Sequence, residues 1–293
     1  MSTLAANWTA VVPRSAAWRG RAWLYALVAP AVVMLLVFYI FPLVQVLWIS
    51  VTEPQPGFEN YALLFTSPSI SKVATTTLRV CALTTFFSLV LGYAVAYALV
   101  HSDERTQRFM MLGVLMPLWI PALVRAFAWV ALLRREGLVN SALLSLDITK
   151  TPLSLLWNEF AVTLGLVYHM LPYAILPLVV SMRQINPLLV AAARGAGASP
   201  TQAFFRVFLP LSLPGAIASG LLVFILTIGL YITPVLLGGG RVTMIAQYIG
   251  SQFFDLFRLG VGTMLATSLI LVVVLTLAVM SRFVDIGRMF GAK

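Results

Sequence analysis

Cysteine and histidine are scarce in this chain, and their scarcity narrows its chemistry. Cysteine occurs once, at Cys81 inside an apolar run, so one chain can form neither a disulfide framework nor a cysteine-built metal site. The two histidines, His101 and His169, fall in different apolar stretches, and no Asp, Glu or His cluster has metal-ligand spacing. Acids number nine, and all charged residues make up 10% of the chain, against roughly 25% in soluble domains. No Gly-x-x-x-x-Gly-Lys-Ser/Thr run occurs, so there is no P-loop for ATP. Gly238-Gly239-Gly240 is too short to serve as one. Ser/His/Asp catalysis has no motif support either, and an enzyme is not expected.

Apolar residues make up 61% of the 293, and several runs exceed the ~20 residues that cross a bilayer. The reading is an all-α polytopic membrane protein of one domain with six transmembrane helices. These lie near 22–50, 73–100, 109–133, 159–181, 213–237 and 259–280, with a short helix near 138–146. A polar segment 1–21 precedes the membrane domain 22–283, a loop 182–212 interrupts it, and a tail 284–293 follows. The net charge of +10 could suggest nucleic acid, but Lys and Arg sit in short loops flanking apolar spans, which points to the lipid bilayer and no nucleic acid. With six spans, eleven Lys/Arg fall on the side of both termini and six on the other, while Arg79 and Arg125 lie inside spans. Basic residues prefer the cytoplasm, so both termini and the 186–213 loop are expected inside.

That loop has a definite pattern. Ala191, Ala192 and Ala193 are helix formers. Gly195 and Gly197 allow a tight turn, Ser199 offers an N-cap and Pro200 the first helical position. Phe204, Phe205 and Phe208 are expected on one face of the next helix, closed by Pro210 and Pro214. The run Ala191-Ala192-Ala193, three residues, Gly197, nine residues, Val207-Phe208-Leu209-Pro210 resembles the "EAA" loop of ABC-importer permeases. The resemblance implies a type I importer-permease fold, N-in and C-in, with a cytoplasmic loop that docks into the ATPase subunit. It makes Ala191, Ala192, Arg194, Gly195, Gly197, Ala198, Ser199 and Pro200 the candidate ATPase-coupling residues. The family's glutamate falls at Ala191, so contact by shape and apolar surface is expected, with Arg194 as the main polar anchor.

Within the spans, Arg125 is the sharpest signal. On a straight helix it lies ~24 Å from Phe109, in the outer half, where a charge should face a cavity or a partner rather than lipid. Arg79, at the outer start of span two, is expected to snorkel. Pro172 frees a carbonyl in span four beside Tyr168, His169 and Tyr173, and Gly229 to Pro234 offers a break beside Tyr231. Trp119, Arg125, Trp129, Tyr168, His169, Tyr173 and Tyr231 are therefore the candidate translocation-pathway residues.

Pro117-Leu118-Trp119 followed by Arg125, Gly137-Leu138-Val139-Asn140, Leu171-Pro172-Tyr173 and Leu237-Gly238-Gly239-Gly240 are similar to the first permease of spermidine/putrescine-type importers. That relationship also includes permeases for γ-aminobutyrate, opines, phosphonates and iron. It implies a second permease subunit, an ATPase dimer that carries ATP and Mg, and a periplasmic solute-binding protein in a bacterial inner membrane, with no cofactor on this chain. The alternative is a stand-alone ion-coupled secondary transporter. Such proteins bury ionisable groups near the midplane and show inverted repeats; here there is one off-centre Arg and no visible repeat.

Overall fold

The computed structural model describes residues 14–283, with side chains from 25 to 278. Most of the expected segment 1–21 and the whole of the tail 284–293 lie outside the described residues. In chain order the helices are α1 (Arg14–Leu35), α2 (Phe41–Thr52), α3 (Glu59–Thr66), α4 (Pro68–His101), α5 (Glu104–Trp119), α6 (Ala122–Leu133) and α7 (Leu138–Ser145). There follow α8 (Glu159–Arg183), α9 (Pro187–Gly195), α10 (Pro200–Ala203), α11 (Leu209–Ile228), α12 (Ile232–Gly238), α13 (Ile245–Phe254) and α14 (Leu259–Phe283). No strand occurs among the described residues. Five continuous stretches are long and apolar enough to cross a membrane, and α5 with α6 supplies a sixth, broken one.

The same local recipe starts several helices. Ser67, Asn158 and Asn186 each accept a backbone N–H from the first turn that follows. Pro68 and Pro187 occupy first positions, where the absent N–H costs nothing. Asp103 caps α5 by accepting from the N–H groups of Arg105 and Thr106. Span two therefore begins at Pro68, five residues before the expected Val73.

Prolines account for two wide turns. Residues Leu36–Ile40 join α1 to α2, and Phe204–Phe208 join α10 to α11, each as one π-helical turn. Pro42 and Pro210 stand two residues beyond them. A helical proline collides with the carbonyl four residues back, here Phe38 and Arg206, the centre of each turn. Opening to i→i+5 spacing relieves the collision, and Phe41 N–H reaches Leu36 O while Leu209 N–H reaches Phe204 O. Pro210 and Pro214 thus do not close the helix after the elbow, as the sequence suggested; the chain stays helical from Pro200 to Ile228.

Span three departs most from expectation. Ile120 (φ −85°, ψ 126°) and Pro121 (φ −53°, ψ 138°) are extended, and the axis turns by 99° between α5 and the segment beginning at Ala122. Pro121 disfavours helical geometry at the residue before it. The straight-helix placement of Arg125 is therefore wrong. Span five likewise ends at Ile228, and Gly229 to Tyr231 separate it from α12. Helices α3 and α13 occupy the expected loops 51–72 and 238–258.

α8 is the spine of the bundle: 56% of its most apolar window is buried, against none of the corresponding window within Tyr25–Thr52. It packs mainly on α4 and α11. Small residues permit the approach: a Cβ on Gly92 would lie 3.1 Å from that of Ala174. Ser219 Oγ–H donates to Ala174 O at 2.7 Å, and the Tyr93 and Ser212 hydroxyls pair at 2.7 Å. At the end away from the elbow, Ile245 N–H donates to Thr77 Oγ1 at 2.8 Å in buried surroundings. Arg79 there forms an ion pair with Glu159, in the first turn of α8, instead of snorkelling alone.

Candidate functional site

Two regions draw together most of the candidate residues. The first is the elbow between α9 and α11. No residue of α9 is buried, and Ala191, Ala192, Arg194 and Gly195 are all exposed. The helix stops by a specific pair of bonds: Gly197 N–H reaches Arg194 O at 3.0 Å, and Ala198 N–H reaches Ala193 O at 3.1 Å. This is the Schellman arrangement, which requires a left-handed residue at the position of Gly197, and its φ is 93°. Gly195, expected to help the turn, is instead the last residue of the helix, and only Gly197 uses glycine's freedom.

One residue later the chain restarts. Ser199 Oγ accepts from Gln202 N–H at 3.2 Å, and Ser199 N–H donates to Gln202 Oε1 at 3.0 Å, a reciprocal capping box with Pro200 at the first position. A helix stop and a helix start thus sit back to back, each closed by a reciprocal pair of hydrogen bonds. Beyond them Phe204 and Phe208 clasp the near end of α4. Tyr97 meets Phe204 at 5.3 Å and Phe208 at 5.2 Å, nearly perpendicular, and His101 meets Phe208 at 5.4 Å. Phe205, expected on the same face, is 59% exposed, with its ring edge-on to that of Phe204 at 5.0 Å. The elbow is therefore fixed to α4 as well as to α11. Gln202, Tyr97 and His101 were not singled out from sequence, although Ser-Pro-Thr-Gln has the Ser-x-x-Gln spacing of a capping box.

The second region lies where the two broken spans meet α8. α6 and α12, each following a break, pack together and both touch α8. Trp129 on α6 meets Tyr168 on α8 edge-to-face at 5.8 Å. His169 stacks with Tyr173 one turn on at 6.3 Å, and the Arg125 charge is within electrostatic reach of His169. Arg125 falls in the first turn of α6, where the helix dipole adds to its positive charge instead of offsetting it. Its Nε and Nη1 are buried without a hydrogen-bond partner. Tyr231 stands apart at the break before α12 and covers Gly250 of α13, where a Cβ would lie 3.0 Å from its ring. Trp119 is 78% exposed at the end of α5 and is not gathered into the cluster. The second halves of the two broken spans thus meet α8 beside this cluster, whereas the break residues Ile120, Pro121, Gly229 and Tyr231 are themselves exposed.

At the end away from the elbow, Arg134, Arg135, Glu136 and Arg241 rim a cleft of about 450 Å³ floored by Leu133, Leu155 and Trp157. The chain folds back there because Trp157 N–H donates to Leu237 O at 3.0 Å and its ring lies against Gly239, leaving no room for a Cβ. Loop residues scattered over a hundred positions make this cleft, and no linear motif announced it.

A bundle of apolar helices, with two spans broken beside a polar cluster and a stiff elbow outside it, is the architecture of a transport subunit. The chain belongs to the family described as the binding-protein-dependent transport system inner membrane component, which matches residues 88–286, a stretch that includes both the elbow and the cluster. It is the transmembrane permease subunit of an ATP-driven ABC importer in a bacterial inner membrane. It is 35% identical to a spermidine/putrescine transport system permease protein of Haemophilus influenzae over 195 residues, 67% of this chain and 68% of that protein. The Escherichia coli permease of the same description is 33% identical over 75% of this chain and 78% of its own length. A crystal structure of a bacterial ABC transporter involved in the import of the acidic polysaccharide alginate superposes with a TM-score of 0.72. It covers 95% of this chain and 99% of that one at 20% identity, a likeness of fold. These relatives are permease subunits, not enzymes or stand-alone ion-coupled transporters.

Proposed function

We propose that the chain forms half of the pathway for a small organic solute, a polyamine or a related amine, opine or amino-acid-like compound. The polyamine permeases among its relatives support this cargo. The other half is a second permease subunit. An ATPase dimer binds ATP and Mg, and a periplasmic solute-binding protein delivers the cargo; this chain holds no cofactor. The permease domain is 22–283 with a coupling loop 182–212, flanked by cytoplasmic segments 1–21 and 284–293, N-in and C-in.

The elbow carries the coupling. Ala191, Ala192, Arg194, Gly195, Gly197, Ala198, Ser199 and Pro200 form its surface, and the observation that supports the assignment is a helix with no buried residue held rigidly at both ends. Leu188, 71% exposed, and Phe205 add apolar surface, in keeping with contact by shape where the family's glutamate is absent. Arg194 is the polar anchor. Trp119, Arg125, Trp129, Tyr168, His169, Tyr173 and Tyr231 line the path, with Trp129, Tyr168 and Tyr173 offering cation–π faces to an amine. No acid lies mid-span, so the path holds solute weakly and selectivity rests mainly with the binding protein.

Purification of the tagged chain with its ATPase, followed by uptake in proteoliposomes, tests this reading. Arg194→Glu should weaken ATPase retention or leave hydrolysis uncoupled from uptake. Normal coupling in that variant rejects Arg194 as anchor. Absence of any ATPase from the wild-type preparation rejects the elbow's assignment.

A further inference from the structure

We infer that the basic cleft at the end away from the elbow receives an acidic side chain of the periplasmic solute-binding protein. This rests on the importer and amine-cargo reading above and deepens it by giving the docking contact a place and a charge.

The cleft is open and its charge is uncompensated. Arg134, Arg135 and Arg241 stand against the single carboxylate of Glu136, a formal surplus of two positive charges. The ion pairs among the described residues are Arg79–Glu159 and Arg108–Glu104, so Glu136 bridges none of its neighbours. No side-chain hydrogen bond joins the three guanidiniums to another described residue. All three arginines are exposed, and a group arriving from outside the chain reaches them directly.

The walls are nonetheless fixed. Asn140 is fully buried and ties the two arms of its loop together. Its Nδ2–H donates to Arg134 O at 3.3 Å and Leu153 O at 3.0 Å, and its Oδ1 accepts from Leu153 N–H at 2.9 Å. Gly137 turns the chain against Leu132 O, where no Cβ fits. Gly239 and Gly240, with φ 53° and 75°, lead the chain to Arg241. Trp157 has a left-handed backbone (φ 61°), which a bulky residue adopts only under constraint, and leaves its ring half exposed in the floor. A pre-formed cleft binds at a lower ordering cost than a mobile loop, and about 450 Å³ admits an entering side chain.

Sign and make-up select the occupant. Trp129, one turn before Leu133 on α6, meets Tyr168 inside the bundle, so the cleft stands over the proposed path. Amine cargo carries the same sign as the arginines and passes this mouth more readily once they are neutralised. A carboxylate on the delivering protein both docks it and offsets that charge. Arginine beside tryptophan, with Leu138 and Leu153 exposed within two residues of the lining, makes the kind of surface that anchors protein contacts. A lipid headgroup fits less well, because Glu136 stands in the rim and would oppose a phosphate.

The test uses the assembled importer: this chain, the second permease and the ATPase in phosphatidylcholine nanodiscs, free of anionic lipid. ATP hydrolysis is followed as the importer's own binding protein is added, and the concentration for half-maximal stimulation is read at about 50 and about 300 mM KCl. Wild type should need several-fold more binding protein at the higher salt. Arg134→Gln, Arg135→Gln and Arg241→Gln together should raise the low-salt value at least about tenfold and flatten the salt dependence. The same three changed to Lys keep the charge and should stay within a few-fold of wild type. Reversal of one surface carboxylate of the binding protein to Arg should rescue Arg241→Glu. Monodisperse elution with the ATPase retained separates loss of docking from loss of folding. An unchanged half-maximal concentration and salt dependence in the Gln triple overturns the inference, as does failure of every such reversal to rescue Arg241→Glu. If the Gln triple differs from wild type only in shedding phosphatidylglycerol on purification from cell membranes, the cleft belongs to lipid and the inference falls. Absence of any stimulation of the wild type by the binding protein would instead reject the importer reading on which it rests.

Discussion

Gly195 and Gly197 stand two residues apart in the elbow, and alanine at each should have opposite effects. Gly197 has φ 93°, and nothing lies within 4 Å of where its Cβ would go. The penalty for Gly197→Ala is then purely conformational, about 1–2 kcal/mol for a left-handed L-residue. Gly195 is helical with equally open space around it, so Gly195→Ala should gain about 0.5–1 kcal/mol by restricting the unfolded elbow. In hydrogen exchange the amides of Gly197, Ala198 and Gln202, whose bonds define the elbow, report its local opening. Gly197→Ala should speed their exchange by roughly 5- to 30-fold, and Gly195→Ala should slow it by roughly 2- to 5-fold. Mass-spectrometric exchange on peptides covering 195–204, in detergent or nanodiscs, measures both. If the two variants shift exchange in the same direction, or Gly197→Ala exchanges no faster than wild type, the Schellman stop does not hold the elbow.

Three further outcomes follow from the packing. Thr77→Val should leave Ile245 N–H buried without its acceptor at 2.8 Å, costing about 1–3 kcal/mol; thermal unfolding in detergent should register it, while Thr77→Ser should restore the wild-type midpoint. Gly92→Val places new atoms against Ala174, where even a Cβ would sit at 3.1 Å, and the overpacked α4–α8 contact should lose about 1–3 kcal/mol in the same assay. The Asp103 carboxyl, outside the spans, is held below the usual carboxylate range first by the Thr106 hydroxyl, then by backbone N–H groups. Its folded pKa is depressed, so its stabilisation of the α5 start is present above the unfolded value and is lost as pH falls through the folded one. Melting of the wild type should therefore fall more steeply than that of Asp103→Asn between about pH 6 and about pH 3; parallel curves would remove Asp103 from that role.

The sequence displayed what depends on local chemistry and hid what depends on three-dimensional closure. Apolar runs located the spans, and Ser199-Pro200 located the elbow's restart, because a cap and a first-turn proline act within four residues. Pro117 and Pro121 were visible, yet a straight span was expected, since a proline can bend, widen or simply be absorbed by a helix. Pro42 and Pro210 widened one, Pro214 was absorbed, and Pro121 broke one. Tertiary packing decides among these outcomes. Arg125, Tyr168 and His169 were legible as polar or aromatic residues in apolar surroundings, but their meeting through α6 and α8 required the break. Glu159 as partner of Arg79, and the cleft rimmed by Arg134, Arg135 and Arg241, join residues far apart in the chain and carried no local signal.

On the proposed orientation, the elbow faces the compartment of the ATPase and the opposite end faces the binding protein. Cys81 is buried, so single cysteines can be introduced against a quiet background, at Ala196 in the elbow and at Ser145 at the end of α7, both exposed positions. A membrane-impermeant maleimide added to intact spheroplasts should label Ser145→Cys and spare Ala196→Cys until the membrane is opened. Labelling of Ala196→Cys from outside in sealed spheroplasts would contradict the account.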